Sequence, residues 1–430
     1  MMKYIFFFLF LGSFCTTLLF GQSQEWSFYN EDNSPLPSNF VRTITQDLDS
    51  AIWIGTHAGA VKLKNGQFEV FTTENSGIES NVVQDIIIDS DNTKWFGTID
   101  GLSKYDDTTW TNYTVFNSAL HFDNILSLAL DSEEYLWIGT ASNSPWNTVG
   151  GVSRFNREDE WIHYDPDNSG LVSRNVRKVY PVDTAHVWFG GLGGISVKNG
   201  ETWTTYTSEN SPLPYDAVND IARDEEGWYW ITVNDIIGQS GGLVKFDGEA
   251  DWTIYDTSNS SLTANKAVTV SIDDCGNIWC ANPFLNNFDG ENWNLLDTIN
   301  SQLHHYNTTA VFEDNSGNIW VGSVHAGVAV FKNDCYGVSG STNHLNGQKD
   351  ISIFPNPFEN EINLLSHSEH SGLHNFRLYD STGRQIEVEN NLYLSNGGWK
   401  KDLSYLPSGI YFYQLSNKHS VIVTGPLIKR

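Results

Sequence analysis

The chain has 430 residues, of which 24 are basic and 52 acidic, so its formal net charge is −28 at pH 7. So acidic a surface repels phosphate backbones and anionic headgroups, which excludes nucleic acid and anionic membrane surfaces as partners. Aromatic residues make up 13% of the chain and charged residues only 18%, a combination that favours short aromatic-rich strands over disorder or long surface helices.

The first 21 residues have the pattern of a secretory signal peptide. Lys3 precedes an apolar run over residues 4–20, and the small residue Gly21 follows that run. An uncleaved membrane anchor is the alternative, but Thr16 and Thr17 interrupt the run and favour cleavage. No later stretch approaches the ~20 apolar residues that a membrane helix needs, so we expect no stable membrane insertion of the mature chain.

The body of the chain contains seven copies of one repeat of about 42 residues. In each copy a tryptophan stands in a Trp-Ile-Gly-Thr motif or a variant of it. An aspartate precedes this tryptophan by five or six residues, and an Asn-Ser pair precedes it by twenty. The tryptophans are Trp53, Trp95, Trp137, Trp188, Trp230, Trp279 and Trp320, and the aspartates are Asp47, Asp89, Asp131, Asp183, Asp224, Asp273 and Asp314. A repeat of this length with four short strand signals indicates one blade of a β-propeller.

The second repeat shows the four strands of a predicted blade. Residues 82–89 are largely apolar and form the innermost strand, A, which ends in a turn rich in Asp and Asn. Residues 94–98 form strand B, with Trp95 packed between blades. Residues 101–105 form strand C, and residues 110–113 form the outermost strand, D.

The order of the strands predicts how the ring closes. The chain opens with a D-type strand over residues 25–29, and the repeats end with a C-type strand over residues 328–332. We therefore expect the N-terminal strand to complete blade 7, which removes open strand edges that promote association. The predicted fold is all-β, with a seven-bladed β-propeller over residues 22–334.

These repeats resemble the two-component regulator propeller family. Its repeat combines an Asp turn, Trp-Ile-Gly-Thr and a Gly-Gly-Leu-like strand, as in Asp131, Leu136-Trp137-Ile138-Gly139-Thr140 and Gly150-Gly151-Val152. The resemblance covers residues 25–333 and implies ligand sensing, because family members often form the periplasmic part of hybrid histidine kinases that respond to glycans. The chain shows no transmembrane helix, kinase or DNA-binding module, so we expect ligand binding to carry over and signalling not to.

A different pattern follows the repeats. Residues 335–349 are rich in Gly, Ser and Asn and form a predicted linker. Alternating strand signals then recur to the end of the chain, at residues 351–354, 361–365, 376–379 and 409–415. This spacing predicts a small Ig-like β-sandwich over residues 350–430.

Three motifs in this segment resemble the C-terminal sorting domain of the type IX secretion system of Bacteroidetes. They are Pro355-Asn356-Pro357-Phe358, then Leu406-Pro407-Ser408-Gly409-Ile410-Tyr411, and the basic end with Lys429. The resemblance implies that type IX machinery is a partner, that the protein crosses the outer membrane, and that the domain is removed. The propeller would then be attached at the cell surface or released. An ordinary adhesive sandwich domain is the alternative.

Strand direction places a candidate site on one face of the propeller. The D-to-A connections and the B-to-C loops emerge together on this side, which we call the loop face. Insertions at residues 141–149 and 233–240 lengthen two of its loops. Variable loops on a rigid scaffold often bind ligands, although a tolerated insertion is the alternative. Candidate contacts are His57, Phe122, Trp146, Arg174, Tyr215, Asn234, Phe284, His304, His305, Tyr306 and His325.

Aromatic rings beside hydrogen-bonding groups suit a sugar or another amphipathic ligand. His57 and His325 occupy similar loops in blades 1 and 7, but no fixed ligand spacing supports a metal site. The Asp89-Ser-Asp91 type of turn lacks the other ligands of a calcium loop. We therefore predict no metal and no cofactor. No catalytic motif appears either, so no catalytic residue is assigned.

These features favour a secreted, surface-displayed, monomeric propeller that binds a glycan or a peptide on its loop face. An enzyme is the first alternative, either a lyase or a glycan-cleaving enzyme, with His304, His305 and His325 as acid and base groups. The second alternative is a passive scaffold that displays its loops to another surface protein.

Three cysteines follow the signal peptide. Cys275, in the A-to-B turn of blade 6, and Cys335, after strand C of blade 7, fall on the face opposite the loop face. Cys280 lies within a strand B, where a buried free thiol is ordinary. A Cys275–Cys335 disulfide and free thiols both stay open, because a bond needs Cα atoms within roughly 7 Å of each other.

Overall fold

A computed structural model describes the chain over residues 26–142, 149–235, 240–298, 301–303, 307–333, 351–354, 360–366, 373–380, 384–393, 399–416 and 421–429. Regular structure in these ranges consists of 35 β-strands in nine sheets. None of the described residues belongs to a helix with the length and hydropathy needed to cross a bilayer. The chain divides into two compact units, Met1–Val338 and Ser339–Arg430.

The first unit consists of seven four-stranded antiparallel sheets, which are the blades. Strands are given in the order A to D. Blade 1 contains β2 (Val41–Gln46), β3 (Ile52–Thr56), β4 (Gly59–Lys64) and β5 (Gln67–Phe71), and blade 2 contains β6 (Val83–Ile88), β7 (Lys94–Thr98), β8 (Leu102–Tyr105) and β9 (Trp110–Tyr113). Blade 3 contains β10 (Ile125–Leu130), β11 (Leu136–Ala141), β12 (Gly150–Phe155) and β13 (Trp161–Tyr164), and blade 4 contains β14 (Val176–Pro181), β15 (His186–Gly191), β16 (Gly194–Asn199) and β17 (Thr202–Tyr206).

The remaining blades follow the same order. Blades 5 to 7 contain β18 (Val218–Arg223), β19 (Tyr229–Asn234), β20 (Gly241–Phe246) and β21 (Trp252–Tyr255); β22 (Val270–Ile272), β23 (Ile278–Asn282), β24 (Phe284–Phe288) and β25 (Trp293–Leu296); and β26 (Thr308–Glu313), β27 (Asn318–Ser323), β28 (Val328–Lys332) and the N-terminal strand β1 (Trp26–Tyr29).

The two ends of the repeat region are joined within blade 7, as the strand order predicts. Strand β1 pairs antiparallel with β28, with Trp26 opposite Phe331 and Tyr29 opposite Val328. The Trp26 and Phe331 rings pack with centroids 4.3 Å apart. Neighbouring A strands contact one another around the whole ring, including β26 against β2. The seven-bladed, closed architecture is therefore confirmed.

The repeated aspartate and tryptophan form one hydrogen-bonded unit. In blade 2, Asp89 Oδ2 accepts a hydrogen bond from the Trp95 indole Nε1 at 2.9 Å, and Asp89 Oδ1 accepts the backbone N–H groups of Asp91 and Thr93. Blades 1, 3, 5, 6 and 7 repeat the indole bond at 2.8–3.0 Å. One carboxylate thus closes the A-to-B turn and accepts the hydrogen bond of the indole, which accounts for the Asp–Trp spacing.

Blade 4 departs from this unit because its aspartate stands five rather than six residues before the tryptophan. Asp183 Oδ1 still accepts the N–H groups of Ala185 and His186, both at 2.8 Å. The indole of Trp188 instead stacks on Tyr229 of blade 5, with ring centroids 3.9 Å apart. In this shorter turn the aspartate still closes the turn between strands A and B, but it no longer accepts the hydrogen bond of the indole.

In five of the seven blades, the glycine of the Trp-x-Gly motif lets the blade approach the next one. A Cβ atom on Gly97 would lie 2.6 Å from Ile125 of β10, and one on Gly55 would lie 2.9 Å from Val83 of β6. Real Cβ atoms do not come this close, so any side chain here would push the inner strand of the next blade away. The motif therefore encodes blade-to-blade packing.

The second unit contains two sheets. One has the order β29 (Ile351–Phe354), β30 (Glu361–Ser366), β33 (Trp399–Asp402), and the other has the order β32 (Gln385–Tyr393), β31 (Leu373–Asp380), β34 (Gly409–Ser416), β35 (Val421–Lys429). Ile362 from the first sheet packs in one core with Phe376, Leu378 and Tyr411 from the second. This arrangement is the small sandwich that the strand spacing predicts.

The cysteines differ in state. Cys275 is disulfide-bonded, whereas Cys280 is free and buried. Cys335, the candidate partner of Cys275, lies outside the described residues. The preceding chain is held at the same turn, because Asn333 Nδ2 donates a hydrogen bond to Asp273 Oδ2 at 2.9 Å.

Ring closure predicts the effect of an N-terminal deletion. Removing residues 22–31 deletes β1, exposes the edge of β28 and removes the packing of Trp26 on Phe331. We expect aggregation or a melting temperature lower by about 5 °C or more, measured by calorimetry. Removing residues 22–25 alone leaves β1 in place and should change little. An unaltered melting temperature in the longer deletion would show that β1 does not close the ring.

Candidate functional site

The first residues of the inner strands are arranged differently from the rest of each blade. In six blades the pairing of strands A and B shifts by one residue near the start of strand A, which leaves one residue out of the ladder. Such bulges re-aim the displaced side chain. Strand A is innermost and starts at the loop face, so the displaced residues surround the entrance of the central channel. We call this set the channel mouth: Arg42, Gln84, Leu126, Arg177, Asn219 and Thr309.

Next along each inner strand lies a second ring of side chains, mostly polar. In most blades its member stands opposite the motif glycine or its replacement, as Asp85 does opposite Gly97 and Asp220 opposite Thr232. Several hydrogen bonds of these side chains connect neighbouring blades. We call this ring the polar belt: Thr43, Asp85, Ser127, Lys178, Asp220 and Thr269.

Lys178 and Asp220 form the charged part of the polar belt between blades 4 and 5. Their Nζ and Oδ1 atoms lie 2.8 Å apart. Asp220 Oδ2 also accepts the Thr269 hydroxyl at 2.7 Å and the Val270 N–H at 3.0 Å, which ties blade 6 to blade 5. Burial alone would lower the pKa of Lys178, but the attraction of Asp220 and of Asp85 outweighs it and raises that pKa.

Asp85 connects blades 1, 2 and 3. Its Oδ1 accepts the Thr43 hydroxyl at 3.2 Å, and its Oδ2 accepts the Leu128 N–H at 2.8 Å. Burial raises the pKa of Asp85, against an opposing attraction from Lys178. Ser127 Oγ accepts the Val179 N–H at 3.1 Å and links blade 3 to blade 4. The belt therefore joins blades 1 to 6 without a break.

The channel mouth carries a compact aromatic and basic group in blade 1. Arg42 Nε donates a hydrogen bond to His57 Nε2 at 2.9 Å, and His57 stacks on Phe40 with ring centroids 3.8 Å apart. The Arg42 guanidinium lies 4.5 Å from the centre of the Phe40 ring. Burial and the charge of Arg42 both lower the pKa of His57, so this imidazole is neutral at pH 7 and Nε2 is an acceptor.

On the other side of the mouth, Arg177 and amide side chains bridge neighbouring blades. Arg177 Nη1 donates to Asn219 Oδ1 at 2.6 Å, and Asn219 Nδ2 donates to the Ala267 carbonyl at 2.9 Å. Gln84 Nε2 donates to Asn124 Oδ1 at 2.8 Å. Burial lowers the pKa of Arg42 and of Arg177.

The structure brings only some of the residues expected from sequence to this mouth. His57 contacts it through Arg42. Asn234 ends β19, and its buried Oδ1 receives no hydrogen bond from any described residue. Arg174 is held by its own loop, 2.8 Å from Asp165 and in contact with Asp167.

The other expected contacts are more scattered. Tyr215 and His325 are exposed, Phe122 is half-buried in a D-to-A connection, and Phe284 begins β24. Trp146, His304, His305 and Tyr306 lie outside the described residues. Sequence reasoning missed Arg42, Arg177 and the polar belt, although polar residues in otherwise apolar inner strands were a usable signal.

The sorting motifs meet in the second unit. Strands β34 and β35 pair so that Gly409 stands opposite Lys429 and Tyr411 opposite Leu427. The Tyr411 hydroxyl donates to the Pro407 carbonyl at 2.7 Å, and the Tyr411 ring is in the core. The two motifs thus lie side by side on paired strands of one sheet. The first motif, Pro355 to Phe358, lies outside the described residues.

Family comparison agrees with this reading of the C-terminus. Residues 352–429 match the secretion system C-terminal sorting domain. The chain therefore carries a sorting domain of the type IX system, which directs export to the cell surface or the extracellular space. No curated protein is similar to the chain in sequence.

Solved structures share the propeller fold. The extracellular domain of a protein described as a hybrid two-component system from B. thetaiotaomicron has a TM-score of 0.61 at 19% identity, over 95% of this chain and 57% of that one. PorZ, a surface component of the type-IX secretion system of Porphyromonas gingivalis, has a TM-score of 0.53 at 13% sequence identity. The match covers 91% of this chain and 60% of PorZ. Virginiamycin B lyase from Staphylococcus aureus has a TM-score of 0.55 at 12% sequence identity. The match covers 72% of this chain and 99% of the lyase. This chain thus spans less than two thirds of the first and second proteins.

The polar belt predicts a pH-dependent loss of stability on removing its cation. Lys178→Met leaves two enclosed carboxylates without their counter-charge and should cost about 2–4 kcal/mol of unfolding free energy at pH 7. Without Lys178 the pKa of Asp85, already raised, rises further. The folded state then binds a proton more tightly than the unfolded state, so the deficit grows as pH rises from about 4 to 7.

Urea denaturation at both pH values measures this deficit. Lys64→Met is the matched control, because Lys64 is exposed and lies 3.9 Å from Asp49, and it should cost no more than about 0.5 kcal/mol. A deficit for Lys178→Met that is equal at pH 4 and pH 7 would contradict the charged role of the belt.

Proposed function

We propose that this exported protein binds a ligand over its channel mouth, and that it acts as a surface-displayed binding protein rather than as an enzyme. The observation that carries the proposal is the set of six strand bulges. They turn side chains of different chemistry toward one entrance on a rigid ring, and convergent polar groups in a concavity are what a ligand site requires.

The composition of the mouth supports binding of an organic ligand. Gln84 and Asn219 supply amides, Leu126 supplies an apolar surface, and the Phe40–His57 stack supplies an aromatic one. Such a mixture matches a saccharide or a peptide, each of which presents apolar and hydrogen-bonding faces. The sequence insertions at residues 141–149 and 233–240 belong to B-to-C connections, which strand direction predicts on the same face as the mouth.

The polar belt favours binding over catalysis. An acid or base must be able to exchange a proton with its substrate. Asp85 already accepts hydrogen bonds from Thr43, Ile86 and Leu128, and Asp220 from Thr269 and Val270 as well as the ion pair with Lys178. These carboxylates are committed to holding blades together. The likeness to a streptogramin-type lyase is a likeness of fold and supplies no catalytic residue here.

A binding screen with two tryptophan variants tests the proposal. The chain without its signal peptide is applied to glycan and peptide arrays, and the best ligand is titrated by calorimetry and followed for product formation. Leu126→Trp fills the mouth and should weaken binding at least about tenfold. Ser90→Trp, in the A-to-B turn on the opposite face, is the control and should bind normally. Equal affinities in the two variants, turnover of the ligand, or absence of binding would overturn the proposal.

Export makes a separate prediction. We infer that the sorting domain hands the propeller to the type IX machinery and that residues 335–349 contain the point of its removal. Deleting residues 350–430 should leave folded propeller in the periplasm, measured by fractionation and by protease accessibility on intact cells. Mature surface protein should lack Arg430. Normal surface display of the truncated chain would contradict this role.

A further inference from the structure

The six arginines of the propeller differ in their partners, and Arg223 on the face opposite the mouth donates to a backbone carbonyl. Three are paired with carboxylates: Arg154 with Asp131 at 3.4 Å, Arg157 with Asp89 at 2.8 Å, and Arg174 with Asp165 at 2.8 Å. Such pairing is what a chain with a net charge of −28 makes easy.

The two arginines of the mouth do not follow this pattern. Arg42 donates to the neutral imidazole of His57, and Arg177 donates to the amide oxygen of Asn219. Neither guanidinium forms an ion pair with any carboxylate in the part of the chain that the structure describes. Both come from the same bulge position, in blades 1 and 4.

A guanidinium without a counter-charge is unfavourable where neighbouring atoms displace part of the water that the charge prefers, as they do around the half-buried Arg177 and, to a smaller extent, around the more exposed Arg42. Burial lowers the pKa of both side chains for this reason. Lys178, the nearby cation of the polar belt, differs from the two arginines because it already forms an ion pair with Asp220. Two unpaired cations at one entrance are therefore a feature that stability alone does not favour, as is typical of functional sites.

The donors that remain define what could pair with them. A guanidinium has five N–H donors in a planar fork. Arg42 uses its Nε and Arg177 one Nη1 bond, so terminal N–H groups of both side chains are left for a ligand. Planar forks of this kind bind carboxylate or sulfate groups through paired, charge-assisted hydrogen bonds.

Resting on the proposed ligand-binding function, we propose that the channel mouth recognises an acidic saccharide, whose carboxylate or sulfate groups pair with Arg42 and Arg177. The Phe40–His57 stack beside Arg42 offers a face for a sugar ring, and Gln84 and Asn219 offer amides for its hydroxyls. The rest of the surface is strongly acidic, so short oligosaccharides should bind better than long polyanions, which this surface repels.

Matched saccharides separate charge from shape. Trigalacturonate is compared with its methyl ester, which keeps the sugar backbone and removes the charge, and an O-sulfated maltose is compared with maltose. Calorimetric titration at pH 7 uses the chain without its signal peptide. We expect at least one acidic member to bind about tenfold or more tightly than its neutral partner, and the preferred pair identifies carboxylate or sulfate as the recognised group.

Three substitutions assign the effect to the mouth. Arg42→Gln and Arg177→Gln should each weaken binding of the acidic saccharide about tenfold, while binding of its neutral partner stays the same. Arg223→Gln is the control. Arg223 ends its inner strand at the opposite face, where its Nε donates to the Gly227 carbonyl at 3.1 Å, so its loss should not alter affinity.

Melting temperatures supply a readout independent of any ligand. Removing an unpaired, partly dehydrated cation should leave the melting temperature of Arg42→Gln and Arg177→Gln unchanged or higher, whereas a structural arginine would lower it. A drop of more than about 3 °C in both variants would overturn the inference. Equal binding of acidic and neutral saccharides would overturn it too, yet leave the proposed ligand-binding function standing. Binding of array ligands without binding of any acidic saccharide would also overturn the inference and leave the proposed ligand-binding function standing.

Discussion

The structure depends on a carboxylate that, in six of the seven blades, accepts a hydrogen bond from a tryptophan indole at the turn between strands A and B. Burying an indole between two sheets leaves its N–H without water, and an unpaired buried donor is costly. The aspartate supplies the acceptor and, with its other oxygen, closes the turn between strands A and B, as Asp89 does for Trp95. The position of strand B relative to strand A is fixed by this bond, and the spacing of the repeat follows from it.

Glycine completes the packing that this unit begins. Two residues after the tryptophan, the lack of a side chain brings strand B of one blade against strand A of the next, as at Gly97 and Ile125. The inner strands are thereby pressed into a ring. The Asp–Trp unit and the glycine contact hold the later part of each inner strand, so its first residues can leave the regular pairing without loss of the ring. The residues of the mouth therefore vary while the blades stay regular.

The frame was predictable from sequence because its chemistry repeats. Trp, Asp and Asn-Ser recur at fixed spacing, and a D-type strand before the first A strand implied closure, which the pairing of Trp26 with Phe331 confirms. The sorting domain was predictable for a related reason, since short linear motifs mark it. The one-residue shortening before Trp188 was visible in the sequence, but its consequence, stacking on Tyr229, was not.

The mouth and the polar belt were not predictable in the same way. Their members share a position and not a residue type, so the series Thr43, Asp85, Ser127, Lys178 and Asp220 shows no motif. The bulges arise from pairing register, which the sequence does not display. The sequence analysis named loop residues as candidate ligand contacts instead. Arg174 is among them, and its charge is held by Asp165 within its own connection, whereas Arg42 and Arg177 lie in strands.

Export by the sorting domain is compatible with the proposed binding at the mouth. Export to the cell surface or beyond places the propeller where soluble ligands arrive, and a closed ring with few free edges tolerates that environment. The loop face can vary in sequence without loss of the frame, because the bonds that hold the blades lie in the turns, the glycine contacts and the belt.

The carboxylate–indole bond can be tested directly with two aspartates that hold similar turns. Asp224→Ala removes an acceptor of the Trp228 N–H group in the turn and of the Trp230 indole. Asp183→Ala removes only acceptors of turn N–H groups. Urea denaturation should show that Asp224→Ala lowers the unfolding free energy by about 2 kcal/mol more than Asp183→Ala does. Equal losses in the two variants would contradict the view that this bond holds the blades.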